Sequence, residues 1–332
     1  MTTNVMQDKA VLVKFTDSVW IARKRDRSVA EDVAKQREAK NSAVGVYRKR
    51  LLPKEALEKR KSIGGRAREY HNRTTLPWMD DGVRVLPASL LKEYMAAMRK
   101  YRAEAEAADE EFFAQYHTFI KEAKLILGKL FNEEDYPDEL VIRNKFGFSL
   151  NVFPLPNLAD WRVDLPQKEL EELRKAAEGT LTAMQKDAVK DLWMRLSKVI
   201  EHVQERLSKD DNKFKNSLLG NVKEMLELLP KLNIAGDAKL EEMRQEIEKK
   251  ITAHTSDELR DDPQARHTVA KDAASILKRM AAYTGAVQEQ PQAPAPAPEV
   301  KEPAKPKAKP AAKSAAKPKA PAKKPAAKKG GK

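Results

Sequence analysis

Asn144-Lys-Phe-Gly-Phe-Ser-Leu-Asn-Val-Phe-Pro-Leu-Pro-Asn-Leu-Ala-Asp-Trp-Arg-Val-Asp-Leu-Pro166 is the longest strand signal in a sequence that otherwise reads as helix. Phe146, Phe148, Leu150 and Val152 alternate with Gly147, Ser149 and Asn151, which puts the apolar side chains on one face of a strand. Pro154 and Pro156 end it, because proline donates no ladder hydrogen bond. Trp161, Val163 and Leu165 alternate with Arg162 and Asp164 as a second short strand, whose two charged residues read as an outward polar face.

Outward from this stretch the pattern becomes helical. From Pro87 to about Phe131, apolar residues at Leu91, Tyr94, Met98, Tyr101, Ala105, Ala108, Phe112, Tyr116, Phe119, Ala123, Ile126 and Leu130 recur about every 3.5 residues, the spacing of a coiled-coil seam. From Pro166 to about Leu207 a second seam runs through Leu170, Leu173, Ala177, Leu181, Met184, Ala188, Leu192, Leu196, Val199, Val203 and Leu207. Its mean spacing is about 3.7 residues, which predicts a straighter helix. Leu76 to Leu86 reads as a hairpin turning at Asp81-Gly82, and as a partner for the 146–152 strand. The fold class expected is therefore mainly α: a long-helix hairpin or bundle with a small antiparallel β element.

Four regions follow. Residues 1–75 form a basic, mostly helical N-terminal region, in which Ala10 to Phe15 suits a short strand. Ser28 and Glu31 match a capping box for a helix to about Lys49. Pro53 suits the start of another helix, which Gly64-Gly65 interrupts. Residues 76–210 hold the hairpin, the long helices and the strand segment. Residues 211–287 hold shorter helices, from Phe214 to Leu229 (ending at Pro230), Lys239 to Thr252 and Val269 to Tyr283. Residues 288–332 are rich in Lys, Ala and Pro, with no large apolar side chain after Val300, so no burial offsets the entropy of ordering them. This segment reads as a disordered tail that proline and charge repulsion extend to a reach of roughly 100 Å.

Charge separates these regions more sharply than hydropathy does. Residues 1–73 carry 19 Lys/Arg against 9 Asp/Glu, and residues 289–332 carry 12 against 3, while the stretch between them is slightly acidic. Basic ends on an acidic body are the pattern of arms that meet a polyanion. The chain has no cysteine, which excludes disulfides and thiolate chemistry. It lacks a signal-peptide pattern and an apolar run of membrane-spanning length, so a soluble cytoplasmic protein is expected, with no membrane partner.

Chemistry inside the body is not evident. Phosphate-loop and dinucleotide motifs are absent. His71, His117, His202, His254 and His267 stand singly and read as surface or boundary residues. The acidic pairs Asp80-Asp81, Glu133-Glu134 and Asp261-Asp262 read as turn residues. No cofactor, metal site or catalytic residue is expected, and the chain does not read as an enzyme. The binding signal lies at the ends. Lys301, Lys305, Lys307, Lys309, Lys313, Lys317, Lys319, Lys323, Lys324, Lys328, Lys329 and Lys332 sit on an extended scaffold that neutralises phosphates without reading bases. Arg23, Lys24, Arg25, Lys59, Arg60, Lys61, Arg66 and Arg68 are a second set of candidate phosphate contacts, with Tyr47, Tyr70 and His71 as candidate stacking residues.

The tail resembles the Lys/Ala/Pro-rich tails of linker histones and of some bacterial histone-like proteins. Leu76-Pro-Trp78 with Asp80-Asp-Gly82 and Leu86-Pro87, Leu127-Gly-Lys-Leu-Phe-Asn132 with Asp135-Tyr-Pro137, and Phe146 to Leu165 together resemble an uncharacterised family of helical proteins from tailed phages and bacteria. That resemblance spans about residues 10–210 and implies a phage-encoded protein acting in the host cytoplasm. It also implies a partner role beside a MoxR-type AAA+ ATPase, and supplies no catalytic residue. The function expected is non-enzymatic, sequence-independent binding of nucleic acid, DNA ahead of RNA, through the tail, while the helical body forms a homo-oligomer or docks a partner. The alternative is an adaptor of an AAA+ ATPase, with the tail as an accessory.

Overall fold

A computed structural model describes residues 9–78, 82–155, 166–209 and 213–284, and in it the apolar run near the start of the chain lies inside the main sheet. β1 (Ala10–Ser18) is followed by β2 (Arg23–Arg25), α1 (Arg27–Gln36) and β3 (Arg48–Arg50). α2 (Glu58–Thr74) leads to a short hairpin, β4 (Leu76–Pro77) and β5 (Val83–Pro87), and then to the long α3 (Leu91–Leu127). After the short α4 (Glu139–Arg143) come β6 (Gly147–Phe153) and the second long helix, α5 (Gln167–Leu207). α6 (Ser217–Leu232), α7 (Ala238–Lys250), α8 (Ser256–Asp261) and α9 (Pro263–Thr284) complete the described chain, all within the unit Met1–Val287. The fold is mainly helical with a small antiparallel sheet.

The sheet has the order β4-β5-β1-β6, every pair antiparallel. The hairpin and the 147–153 strand therefore do not pair as expected, because β1 lies between them, with Leu12 opposite Val85 and Phe15 opposite Leu150. Ala10, Leu12, Val13 and Phe15 are all buried, and such a near-continuous apolar run, broken only by Lys14, marks an inner strand rather than an edge. Trp161 to Leu165, the turn residues 79–81 and the Lys/Ala/Pro tail lie outside the described residues.

α3 is the shared wall of two cores. Tyr94, Met98, Ala105 and Ala108 pack with the sheet and the C-terminal helices. Phe112, Phe113 and Tyr116 pack instead with Trp20, Leu51, Leu52, Leu57 and Ile142. The seam read from the sequence is buried or half-buried within the chain as far as Ala123, so it presents no free coiled-coil face over that length. Gly128, at φ +51°, stops the helix. The long helices take different main partners, α2 for α3 and α9 for α5, which makes a bundle rather than a hairpin of the two.

Several expected boundaries move. The helix expected from Ser28 to Lys49 ends at Gln36, where Glu38 takes a left-handed φ of +51° and the chain turns back towards β3. Its cap is Asp26, whose carboxylate accepts from the Ser28 and Val29 N–H groups at 3.1 and 3.5 Å. Gly64-Gly65 does not interrupt α2. Gly64 makes room, because a Cβ there would lie 2.1 Å from Asp17 Oδ2. Pro230 sits inside α6, near enough to its end that the lost hydrogen bond is tolerated. α9 begins at Pro263 instead of Val269, with Asp262 accepting from the Gln264 and Ala265 N–H groups. The capping box of Thr255 and Glu258 starts the unexpected α8.

Candidate nucleic-acid interface

β2 and β3 both read Arg-Lys-Arg, and they pair with each other. Arg23 lies opposite Arg50, Lys24 opposite Lys49, and Arg25 opposite Arg48. Side chains alternate along a strand and directly opposed residues share a face. All four arginines therefore lie on one face of the ribbon and both lysines on the other. The pairing is extended at its ends, where the Asp26 N–H donates to the Tyr47 carbonyl at 3.1 Å and the Leu51 N–H to the Ala22 carbonyl at 2.8 Å.

The lysine face is ion-paired to the protein, with Lys49 buried and Lys24 half exposed. Asp135 accepts ion pairs from Lys24 at 2.5 Å and from Lys49 at 2.6 Å, and its side chain is 3% exposed. Lys49 also pairs with Asp26 at 3.2 Å and donates to the Leu130 carbonyl at 2.7 Å. Burial works against both charges. Hydrogen bonds to the partner outweigh it, holding the Lys49 ammonium above its usual range and the Asp135 carboxyl below its own. The Tyr136 hydroxyl donates to the Leu51 carbonyl at 2.8 Å and ties the ribbon to the same 132–136 turn. Trp20, Leu51 and Leu52, just beyond the strands, anchor it in the second core.

The arginine face has no such partners. Arg23, Arg25, Arg48 and Arg50 are exposed and form no ion pair among the described residues. Two arginine pairs set directly opposite each other oppose folding. Beside the ribbon opens a cleft of about 440 Å³, with Arg23, Arg50, Lys54 and Lys61 around an apolar floor. Partial burial, then the nearby Arg23 and Arg50, lower the Lys61 pKa, so the cations there repel one another.

The other sequence candidates divide. Lys59 pairs with Glu111, and Arg66 with Glu104 at 2.8 Å while lying over the Tyr101 ring. Arg68 lies over Phe15 and donates to the Asp17 carbonyl at 3.5 Å. Arg60 is a correction: it is 1% exposed and cannot meet a phosphate. Its guanidinium spans Asp109 at 2.7 Å and Asp17 at 2.9 Å, so it is a buried tie between α2, α3 and β1. Tyr70 stacks on Tyr94 inside the protein, whereas Tyr47 at the ribbon's end stays exposed. His71 is buried rather than a surface histidine. Its Nδ1 lies 2.6 Å from the Tyr94 hydroxyl, and burial, then Arg84 and Arg68, lower its pKa to about 4. The tail lysines lie outside the described residues.

In comparisons with family models, curated proteins and solved structures, nothing matched this chain. The site therefore rests on its geometry. Among the described residues no group of three or more His, Asp or Glu side chains is placed to hold a metal ion. Sequence reasoning missed Arg48 and Arg50 as partners of Arg23 and Arg25, and Asp135 as the partner of the lysines behind them. The signal for the ribbon was the repeated Arg-Lys-Arg at 23–25 and 48–50, which the expected helix to Lys49 concealed.

Proposed function

We propose that this is a non-enzymatic nucleic-acid-associated protein that binds the phosphate backbone without reading sequence, through the Lys-rich tail and the arginine face of the β2–β3 ribbon. The observation that carries this reading is the uncompensated arginine face. Evenly matched acids neutralise the lysines behind it, while four guanidiniums in front face solvent without partners among the described residues. Guanidinium is well suited to such a role, being always charged and able to grip phosphate oxygens through two parallel N–H bonds. DNA is the polyanion named first, because backbone neutralisation by lysine and arginine requires no 2′-hydroxyl.

The test is an electrophoretic shift series from low to moderate salt, with the full chain, residues 1–287, and residues 1–287 carrying Arg→Gln at 23, 25, 48 and 50. Both cores lie before residue 285, so the truncated chain keeps them whole. Affinity should fall on removing the tail, and fall again with the arginines. Equal affinity in all three proteins would overturn the reading.

A second reading, a docking partner for an AAA+ ATPase, is favoured by large apolar side chains left on the surface. Leu125 and Ile126 near the end of α3 and Leu140 and Val141 on α4 are exposed, Leu125 by 85%. Co-purification with an adjacent-gene ATPase, lost on Leu125→Ser, supports that role. Failure to associate with or without nucleotide counts against it.

A further inference from the structure

The cleft at the root of the ribbon differs from a plain basic patch. Its floor is apolar, formed by Leu52, Pro53 and Leu57, and its rim carries Arg23, Arg50, Lys54 and Lys61 with one carboxylate, Glu58. Ile21 stands at the same cleft with 61% of its surface exposed, although Trp20 and Ala22 on either side of it are buried. An apolar side chain held out among cations that form no ion pair among the described residues fits a ligand that is anionic at one end and flat and apolar at the other.

Size and shape narrow the ligand further. A volume of about 440 Å³ is at the small end of ligand pockets and takes one small group, not a length of duplex. In a duplex the faces of the bases are covered by stacking and only their edges, the sugars and the phosphates are reached from outside, so the apolar floor would meet no base face. In a single strand the base is free to leave its neighbours and lie against protein. We infer that this cleft holds one unpaired nucleotide of a single strand, its phosphate among Arg23, Arg50 and Lys61 and its base against Ile21 and the Leu52–Leu57 floor. The inference rests on the nucleic-acid reading above and adds to it a preference for single strands. An acidic peptide with an apolar anchor is the competing ligand. Four cations against one acid at the rim, in a chain whose tail is also lysine-rich, favour the nucleotide.

The test measures fluorescence anisotropy of the full chain with a labelled short oligothymidylate and with a duplex of the same length, across salt. Ile21→Ser and Lys61→Gln are both at exposed positions, so each variant should fold. The wild-type protein should bind the single strand more tightly than the duplex. Ile21→Ser should weaken single-strand binding about fivefold and leave duplex binding unchanged, as expected for the loss of a base contact. Lys61→Gln should lower the salt slope on the single strand by about 0.7, the value of one phosphate contact. Wild-type binding of both forms with no effect of Ile21→Ser on their ratio would overturn the cleft while leaving the wider reading standing. Binding of neither form would overturn both. Displacement of the strand by an acidic peptide, lost in Ile21→Ser, would assign the cleft to protein instead.

Discussion

The two faces of the β2–β3 ribbon are made from similar residues and have opposite fates. Lys24, half exposed, and Lys49, buried, pair with Asp135 and Asp26, and one of those carboxylates also caps α1. Arg23, Arg25, Arg48 and Arg50 turn outward to solvent and form no ion pair among the described residues. A positive charge in this protein is thus structural or available according to the parity of its position on a strand. The same division recurs in α2, where Arg60 is locked between Asp17 and Asp109 while Lys61, the next residue, lines the open cleft.

The contrast can be broken most severely at Arg60. Arg60→Ala leaves Asp17 and Asp109 facing each other without their cation and should lower stability by about 4 kcal/mol in urea unfolding. Asp135→Asn should follow, at about 2 kcal/mol, because it takes one of two carboxylates from the Lys49 ammonium, whose side chain is 7% exposed, and leaves it Asp26 alone. Replacing both Arg25 and Arg48 by Gln should change stability by no more than about 0.5 kcal/mol, since nothing buried depends on them. A large loss there would erase the distinction between the faces.

Acidity should separate the faces in the same way. Burial and the paired lysines together leave the Asp135 pKa below its ordinary 3.8. A carboxyl lowered in the folded state contributes stability that is complete above the unfolded value and is lost as pH falls through the folded one. The stability gap between wild type and Asp135→Asn should therefore be constant above 3.8 and close below it. His71, lowered from 6.5 to about 4 mainly by burial, adds a separate acid limb. Stability should decline as pH falls from 6.5 towards 4, and His71→Phe should flatten that limb in denaturation measured across pH.

The helical part of the fold was legible because its signals are long and local. The bounds of Gln167–Leu207 match the expected helix closely, although its seam is buried only from Ala188 onward and Leu173 is exposed, and Gly128 ends α3 at a positive φ. The order of the sheet was not legible, since strand pairing depends on contacts distant in sequence. The run from Leu12 to Phe15 shows an inner strand without saying which neighbours it takes. In the candidate site, Arg23, Arg25 and Lys61 stood out by charge alone. The partnership with Arg48 and Arg50 was hidden because Val29, Val33 and Val44 permit a helical reading that Glu38 breaks through backbone conformation. Arg60 misled for a related reason, as charge in a sequence does not show whether carboxylates fold around it.

The most direct measurement is the salt dependence of DNA affinity for residues 1–287 with and without Arg→Gln at 23, 25, 48 and 50. If the arginine face meets phosphates, the slope of log affinity against log salt should fall by about 3 to 4 in the variant, with its unfolding stability unchanged. An unchanged slope in a folded variant would contradict the assignment of that face to nucleic acid.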